Sequence, residues 1–255
     1  MLPDNAFLRN VPRILDVKQR LAFEVLLIAS DAISIAFERL KVSLRCVAVA
    51  ENRMISDIDR TQIGMDCWTI VDNIHAFFQV AKTLDMKGLF QIEKIDKYRL
   101  DVACMRNGMD HIHQNLGNLS RSKGVKMPIY GNVTFTCPKS FDGSFEMVSL
   151  AIGGIQFEGN VSGVFDTRAI ALVDDIGNIT FEAFDRRVEL GEMVTFLNEV
   201  IKSIDEKFKD EFNLKVIEFA NTQECDVSAL LQETVRGTIV VRLVCMPVAA
   251  DESNA

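Results

Sequence analysis

None of the six cysteines, at positions 46, 67, 104, 137, 225 and 245, forms a C-x-x-C pair, and none lies in a histidine-rich segment. Those spacings argue against a zinc site and favour buried free thiols in a reducing cytoplasm. The start, Met1 to Asn5, lacks a basic stretch followed by an uninterrupted apolar run, so no secretory signal is expected. The most apolar stretch, Leu21 to Leu44, is broken by Glu24, Asp31, Glu38, Arg39 and Lys41, which excludes a membrane span and leaves a buried helix. Internal repeats and low-complexity linkers are absent, and Gly153-Gly154 lacks the strand-turn-helix context of a phosphate loop. Overall excess of positive charge is lacking too, since the net charge is -8. Residues 1 to 125 carry 17 Lys and Arg against 15 Asp and Glu, whereas residues 126 to 255 carry 11 against 21. A polyanion would therefore be met by a local patch on the first half.

What is present is ordinary globular composition, 48% hydrophobic and 25% charged, sufficient for a sizeable core. Asp16 to about Val49 contains no Gly or Pro and is rich in Leu, Ala, Ile and Arg, the profile of one long helix or two stacked end to end. Its apolar residues go most of the way round, as in a helix central to a bundle or one that buries a second face against another subunit. A second helix is predicted from about Gln62 to Leu84, with Trp68, Val71, Ile74, Phe78 and Ala81 at helical spacing. A third is predicted from about Gln91 to Leu116, stopped by Gly117-Asn118.

Beyond Gly124 the hydrophobic period becomes alternating. Val133 to Cys137, residues 145 to 157, residues 163 to 173 and Ile179 to Phe184 read as strands, with Asp174 to Asn178 as a hairpin turn. An amphipathic helix over about 188–212 carries Leu190, Met193, Val194, Leu197, Ile201, Ile204 and Phe208 on one stripe. Strands near 214–219 and 238–246 would complete the sheet. The fold expected is α+β, with a helical bundle over 1–124 and a β-rich part, mainly antiparallel and packed with one long helix, over 125–255.

One constellation suggests chemistry: Arg106-Asn107-Gly108-Met109-Asp110-His111, with His113 two residues on. Metal-free cleavage of a phosphodiester needs a base, an acid and a cation on the pentacovalent phosphate. Histidine titrates near neutral pH, and arginine presents planar donors to two phosphate oxygens. On a straight helix His113 lies within about 20° of Arg106 and His111 about 140° away, whereas Asn107 and His111, four apart, share a face. Arg106, Asn107 and His111 are the leading candidates, with His113 as the alternate. Gly108 weakens the helix locally and would permit a kink joining Arg106 to His111. Asp72 and His75, three apart on the second helix, are candidate auxiliaries. The competing reading is an ordinary ion pair of Arg106 with Asp110 or Asp101. Trp68, Phe77 and Phe78 follow core spacing without interleaved basic residues, so they are assigned to packing and not to base stacking.

Arg106-Asn107-x-x-x-His111 resembles the motif of the HEPN superfamily: an arginine, a polar residue, and a histidine after four to six intervening residues. Trp68 to His75, Arg106-Asn107 and Pro128 to Val133 together look like a group of uncharacterised bacterial proteins with a HEPN-like bundle followed by strands. The superfamily resemblance covers about residues 16 to 118. It implies a metal-independent, cofactor-free endoribonuclease, toxin-like or stress-related, acting on RNA as a homodimer through the helical bundle and paired with a protein partner such as an antitoxin. The alternative is a noncatalytic dimeric interaction module, with the acidic second half taking a protein or small ligand.

Overall fold

A computed structural model describes residues 1–11, 15–50, 55–84, 92–114, 130–138, 145–152 and 176–223. Helices α1 (Val17–Val49) and α2 (Asp57–Thr83) form a hairpin. Each begins where a side chain can satisfy a free backbone N–H: Asp16 accepts from Gln19 N, and Ser56 Oγ accepts from Asp59 N at 3.1 Å. Asp57 and Asp59 add negative charge to the first turn of α2, where the helix dipole favours it. Between the two helices, Arg39 of α1 pairs with Asp66 of α2, a fully buried carboxylate that also accepts from Gln62. Helix α3 (Ile92–Asp110) packs on α2.

Four antiparallel strands follow: β1 (Asn132–Pro138), β2 (Phe145–Ala151), β3 (Gly177–Ala183) and β4 (Arg186–Glu189), in the order β2-β1-β3-β4. Val133, Phe135, Val148, Phe181 and Val188 share one face and enter the core. The opposite face is polar on β1, β3 and β4. Ser149, Thr134, Thr180 and Glu189 stand in one row across all four strands. Asn132, Glu182 and Arg187 form the next row. Helix α4 (Leu190–Gln223) then packs against β3, α1 and the short 3-10 turn at Phe7–Arg9. Phe7, Phe23, Phe208 and Phe212 stack there with ring centroids 4.8 to 6.2 Å apart, and Leu8 N donates to Asp205 at 2.7 Å. One continuous apolar core therefore runs from the helical half into the sheet. The fold is α+β, as the switch of hydrophobic period predicts.

Two helix glycines let the halves meet closely, and a third lets the chain enter β1 tight against β3. A Cβ on Gly64 of α2 would stand 2.5 Å from Ile152 Cγ2, and one on Gly108 of α3 would stand 2.4 Å from Phe184 Cγ. Gly131 has φ +96°, and a Cβ there would meet the Phe181 ring and the Glu182 carbonyl. Between these points Trp68 lies edge-on to Phe181 at 5.2 Å and donates through Nε1 to the Tyr130 carbonyl at 3.0 Å.

Several details differ from the sequence expectation. The last helix does not stop near 212: Phe212 and Val216 extend its buried stripe, so 214–219 is helix and not strand. Gly177 and Asn178 belong to β3 instead of a turn. The short strand β4 escapes an alternation search because Arg186-Arg187-Val188-Glu189 carries one apolar residue. It is reached through Phe184 and Asp185, whose φ values of 51° and 58° suit a two-residue primed turn. Phenylalanine is a costly residue at positive φ, and here its ring is held against Gly108 and 6.2 Å from Trp68. The stop at Gly117-Asn118, the glycines 153–154 and the strands expected over 163–173 and 238–246 lie outside the described residues.

Candidate functional site

The third helix carries Arg106 to the outer edge of the bundle, where α2 presents Asp72 and His75. Arg106 Nε stands 3.6 Å from Asp72 Oδ1 and 3.7 Å from Asp110 Oδ2. Both distances exceed a good hydrogen bond, and among the described residues Arg106 Nε, although buried, has no hydrogen-bond partner. The guanidinium is thus held electrostatically between two half-exposed carboxylates, one on each helix. Asp101, the other partner considered for Arg106, faces Arg186 of β4 at 3.6 Å.

His75 completes the cluster. Burial lowers its pKa below the ordinary imidazole value, and the Arg106 charge lowers it further, against the opposing pull of Asp72 and Asp110. Its Nε2 lies 3.4 Å from Gln79 Nε2 one turn on. Asp72 is displaced upward, first by burial and then by Asp110, with Arg106 and His75 pulling the other way. The geometry therefore favours a neutral imidazole beside a fixed cation, with a carboxylate whose charge is less secure than usual.

The motif residues themselves lie at the end of α3. Asn107, His111 and His113 are exposed. The His111 N–H donates to Asn107 O at 3.1 Å, and His111 occupies a turn that interrupts the helix after Asp110. That turn removes the premise of an unbroken helix on which the preference for His113 rests. Among the described residues, no hydrogen bond or ion pair joins Arg106 to Asn107, His111 or His113; its recorded partners are Asp72 and Asp110. Gly108 has a packing role that its sequence context does not disclose: it admits the Phe184 ring.

Sequence reasoning also missed the polar sheet face. Asn132 Nδ2 donates to Ser149 Oγ at 2.9 Å and to Thr134 Oγ1 at 3.2 Å, while Thr180 Oγ1 donates to Glu189 Oε2 at 2.7 Å. Arg187 Nη2 donates to Glu189 Oε1 at 2.9 Å, and its Nε lies 3.6 Å from Glu182. The only trace in the sequence is the polar phase of Asn132, Thr134 and Thr136, which reads as the solvent side of a strand. All three are buried. The network satisfies most of its own polar atoms, although Thr136 Oγ1 has no partner among the described residues.

No family model, curated protein or solved structure matches this chain. Among the described residues, no group of three His, Cys, Asp or Glu side chains is placed to hold a metal ion, and no helix is long and apolar enough to cross a membrane.

Proposed function

We propose that the protein is a metal-independent endoribonuclease of HEPN type, with Arg106 as the phosphate-binding cation and histidine as its proton carrier. One observation carries the reading: Arg106 of α3 reaches across to Asp72 of α2 at 3.6 Å, three residues before His75 on that helix, so that the guanidinium adds to burial in disfavouring protonation of the imidazole. A neutral imidazole can accept the proton of an RNA 2'-hydroxyl as its oxygen attacks the adjacent phosphorus. The bond to the 5'-oxygen then breaks, leaving a 2',3'-cyclic phosphate. The leaving oxygen takes a proton from a second imidazole, for which exposed His111, with His113 as alternate, is assigned. Asn107 stands one residue from Arg106 at the exposed end of α3, where it could orient the substrate or His111. The toxin-like role, the antitoxin partner and the cytoplasmic location belong to this reading and go with it.

The test is cleavage of single-stranded RNA in the presence of a chelator, comparing wild type with Arg106→Ala, His111→Ala and His75→Ala. Cleavage that is lost in Arg106→Ala and in at least one histidine variant, with the fold intact, is expected. A wild-type protein that leaves RNA uncut, or variants that cut as well as wild type, refutes the proposal.

A second reading has its own support. Arg106 is already countered by Asp72 and Asp110, the arrangement of a strut tying α3 to α2 in a noncatalytic interaction module. On that reading Arg106→Ala lowers stability slightly and changes no chemistry.

A further inference from the structure

Helix α1 turns one face to α2, and among the described residues another, strongly apolar face is left uncovered. Leu21, Ile28, Ile35, Val42 and Val49 recur at every seventh residue and are 57%, 58%, 48%, 56% and 82% exposed. Val25, Ala32, Arg39 and Cys46 fill the second position of the same repeat, and Val25 and Cys46 are also exposed. A seven-residue repeat is not the natural period of a straight helix. Sustained over four heptads, it keeps one stripe facing a second helix in a left-handed coiled coil. The stripe runs about 42 Å at 1.5 Å per residue. Water-facing residues on a surface helix are normally polar, so so long an apolar row marks an interaction surface.

We infer that this face is an antiparallel coiled-coil interface with a second copy of the same chain. The charges beside the seam choose both the partner and the direction. Glu24, Asp31, Glu38 and Arg45 recur on one flank, again at seven-residue spacing. In the antiparallel register that sets Val25 on Val42 and Ala32 on Ile35 of the second copy, Glu24 comes opposite Arg45 of that copy, twice by symmetry. Neither Glu24 nor Arg45 has an ion-pair partner among the described residues, and Arg45 Nε is buried without one. The inner like-charged pair, Asp31 and Glu38, is already neutralised within each chain: Arg9 binds Asp31 in a bidentate pair at 2.7 and 2.8 Å, and Lys41 binds Glu38 at 2.9 Å. A parallel pairing would bring Arg39 against its own copy in the seam, whereas the antiparallel one lays its stem on Ile28. A homodimer through the bundle is already what the HEPN resemblance implies; the face of α1 that forms it and its direction rest on the exposed stripe and the flanking charges alone.

The decisive experiment measures mass in solution by sedimentation equilibrium on the full chain, at micromolar concentration. Wild type is expected at twice 28.6 kDa. Ile35→Glu, beside the two-fold axis, is expected to give a monomer with an unchanged far-UV spectrum, because the position is exposed in the single chain; Ile28→Lys serves as a second variant. Direction is read with a short thiol cross-linker: Leu21→Cys should join to Cys46 of the other copy, and the product should vanish when Cys46→Ser is added. A monomeric wild type overturns the proposal, as does a dimer indifferent to both seam substitutions. A Cys46-to-Cys46 product in the wild type overturns the antiparallel register.

Discussion

Replacing Gly108 with alanine should destabilise the protein, although alanine is the better helix former by about 1 kcal/mol in an exposed helix interior. The added Cβ would stand 2.4, 2.6 and 2.9 Å from Cγ, Cδ2 and Cδ1 of Phe184, far inside van der Waals contact. The ring has little freedom to withdraw. Its backbone is fixed at φ 51° in a two-residue turn, and the ring sits 6.2 Å from Trp68. Overpacking of this kind costs about 1–3 kcal/mol, which set against the gain in propensity leaves a net loss of up to about 2 kcal/mol. Urea unfolding followed by the fluorescence of Trp68, the single tryptophan, measures it. The partner experiment is Phe184→Ala: with the ring gone, Gly108→Ala should become stabilising by roughly 0.5–1 kcal/mol, so a double-mutant cycle should return the overpacking cost itself, a coupling of about 1–3 kcal/mol. Stabilisation by Gly108→Ala in the wild-type background, or the same effect in both backgrounds, would refute the seating of Phe184 on α3.

Three further outcomes are expected. Gly131→Ala should cost about 2 kcal/mol in the same unfolding assay, because φ +96° strains any side chain and the Cβ would approach the Glu182 carbonyl within 2.8 Å; a neutral change would mean the turn rebuilds freely. Arg39→Ala should cost more than Asp66→Asn, on the order of 3 kcal/mol, since it strands a fully buried carboxylate whose Oδ2 already has no partner among the described residues; equal costs would count against that asymmetry. His75→Gln should flatten the acid limb of stability. The folded chain binds a proton at His75 less readily than the unfolded one, so stability is full above the ordinary value of 6.5 and falls as pH drops through it towards the lowered folded value. Asp72, displaced upward, works in the opposite sense just above 3.8, so the comparison belongs between pH 5.5 and 7.5. A wild-type midpoint that does not fall relative to His75→Gln across that window would exclude a depressed His75.

Where patterns were long, the sequence was informative. The run without Gly or Pro from Asp16 to Val49 matches α1 within a residue, because helix propensity and periodic burial act together over 33 positions. The change to alternating period locates β1 and β3. Short elements were opaque: β4 has four residues with one apolar position, and it exists because β3 supplies its ladder bonds and Val188 its burial. The candidate site divides in the same way. Arg106, Asp72 and His75 could each be singled out by residue type, but a spacing between two helices is not written in either one. The motif directed attention along α3 to His111, whereas the recorded contacts of Arg106 run across to Asp72 of α2 and along its own helix to Asp110.

By itself, the sequence determined the fold class, the position of the long helices and the apolar excess on α1, since each follows from composition and period summed over many residues. Only the tertiary structure decided which face of α1 the other described residues leave open and which partners Arg106 meets. It also decided why residue 108 is a glycine. These depend on the approach of segments distant in the chain, where a few ångströms separate contact from none.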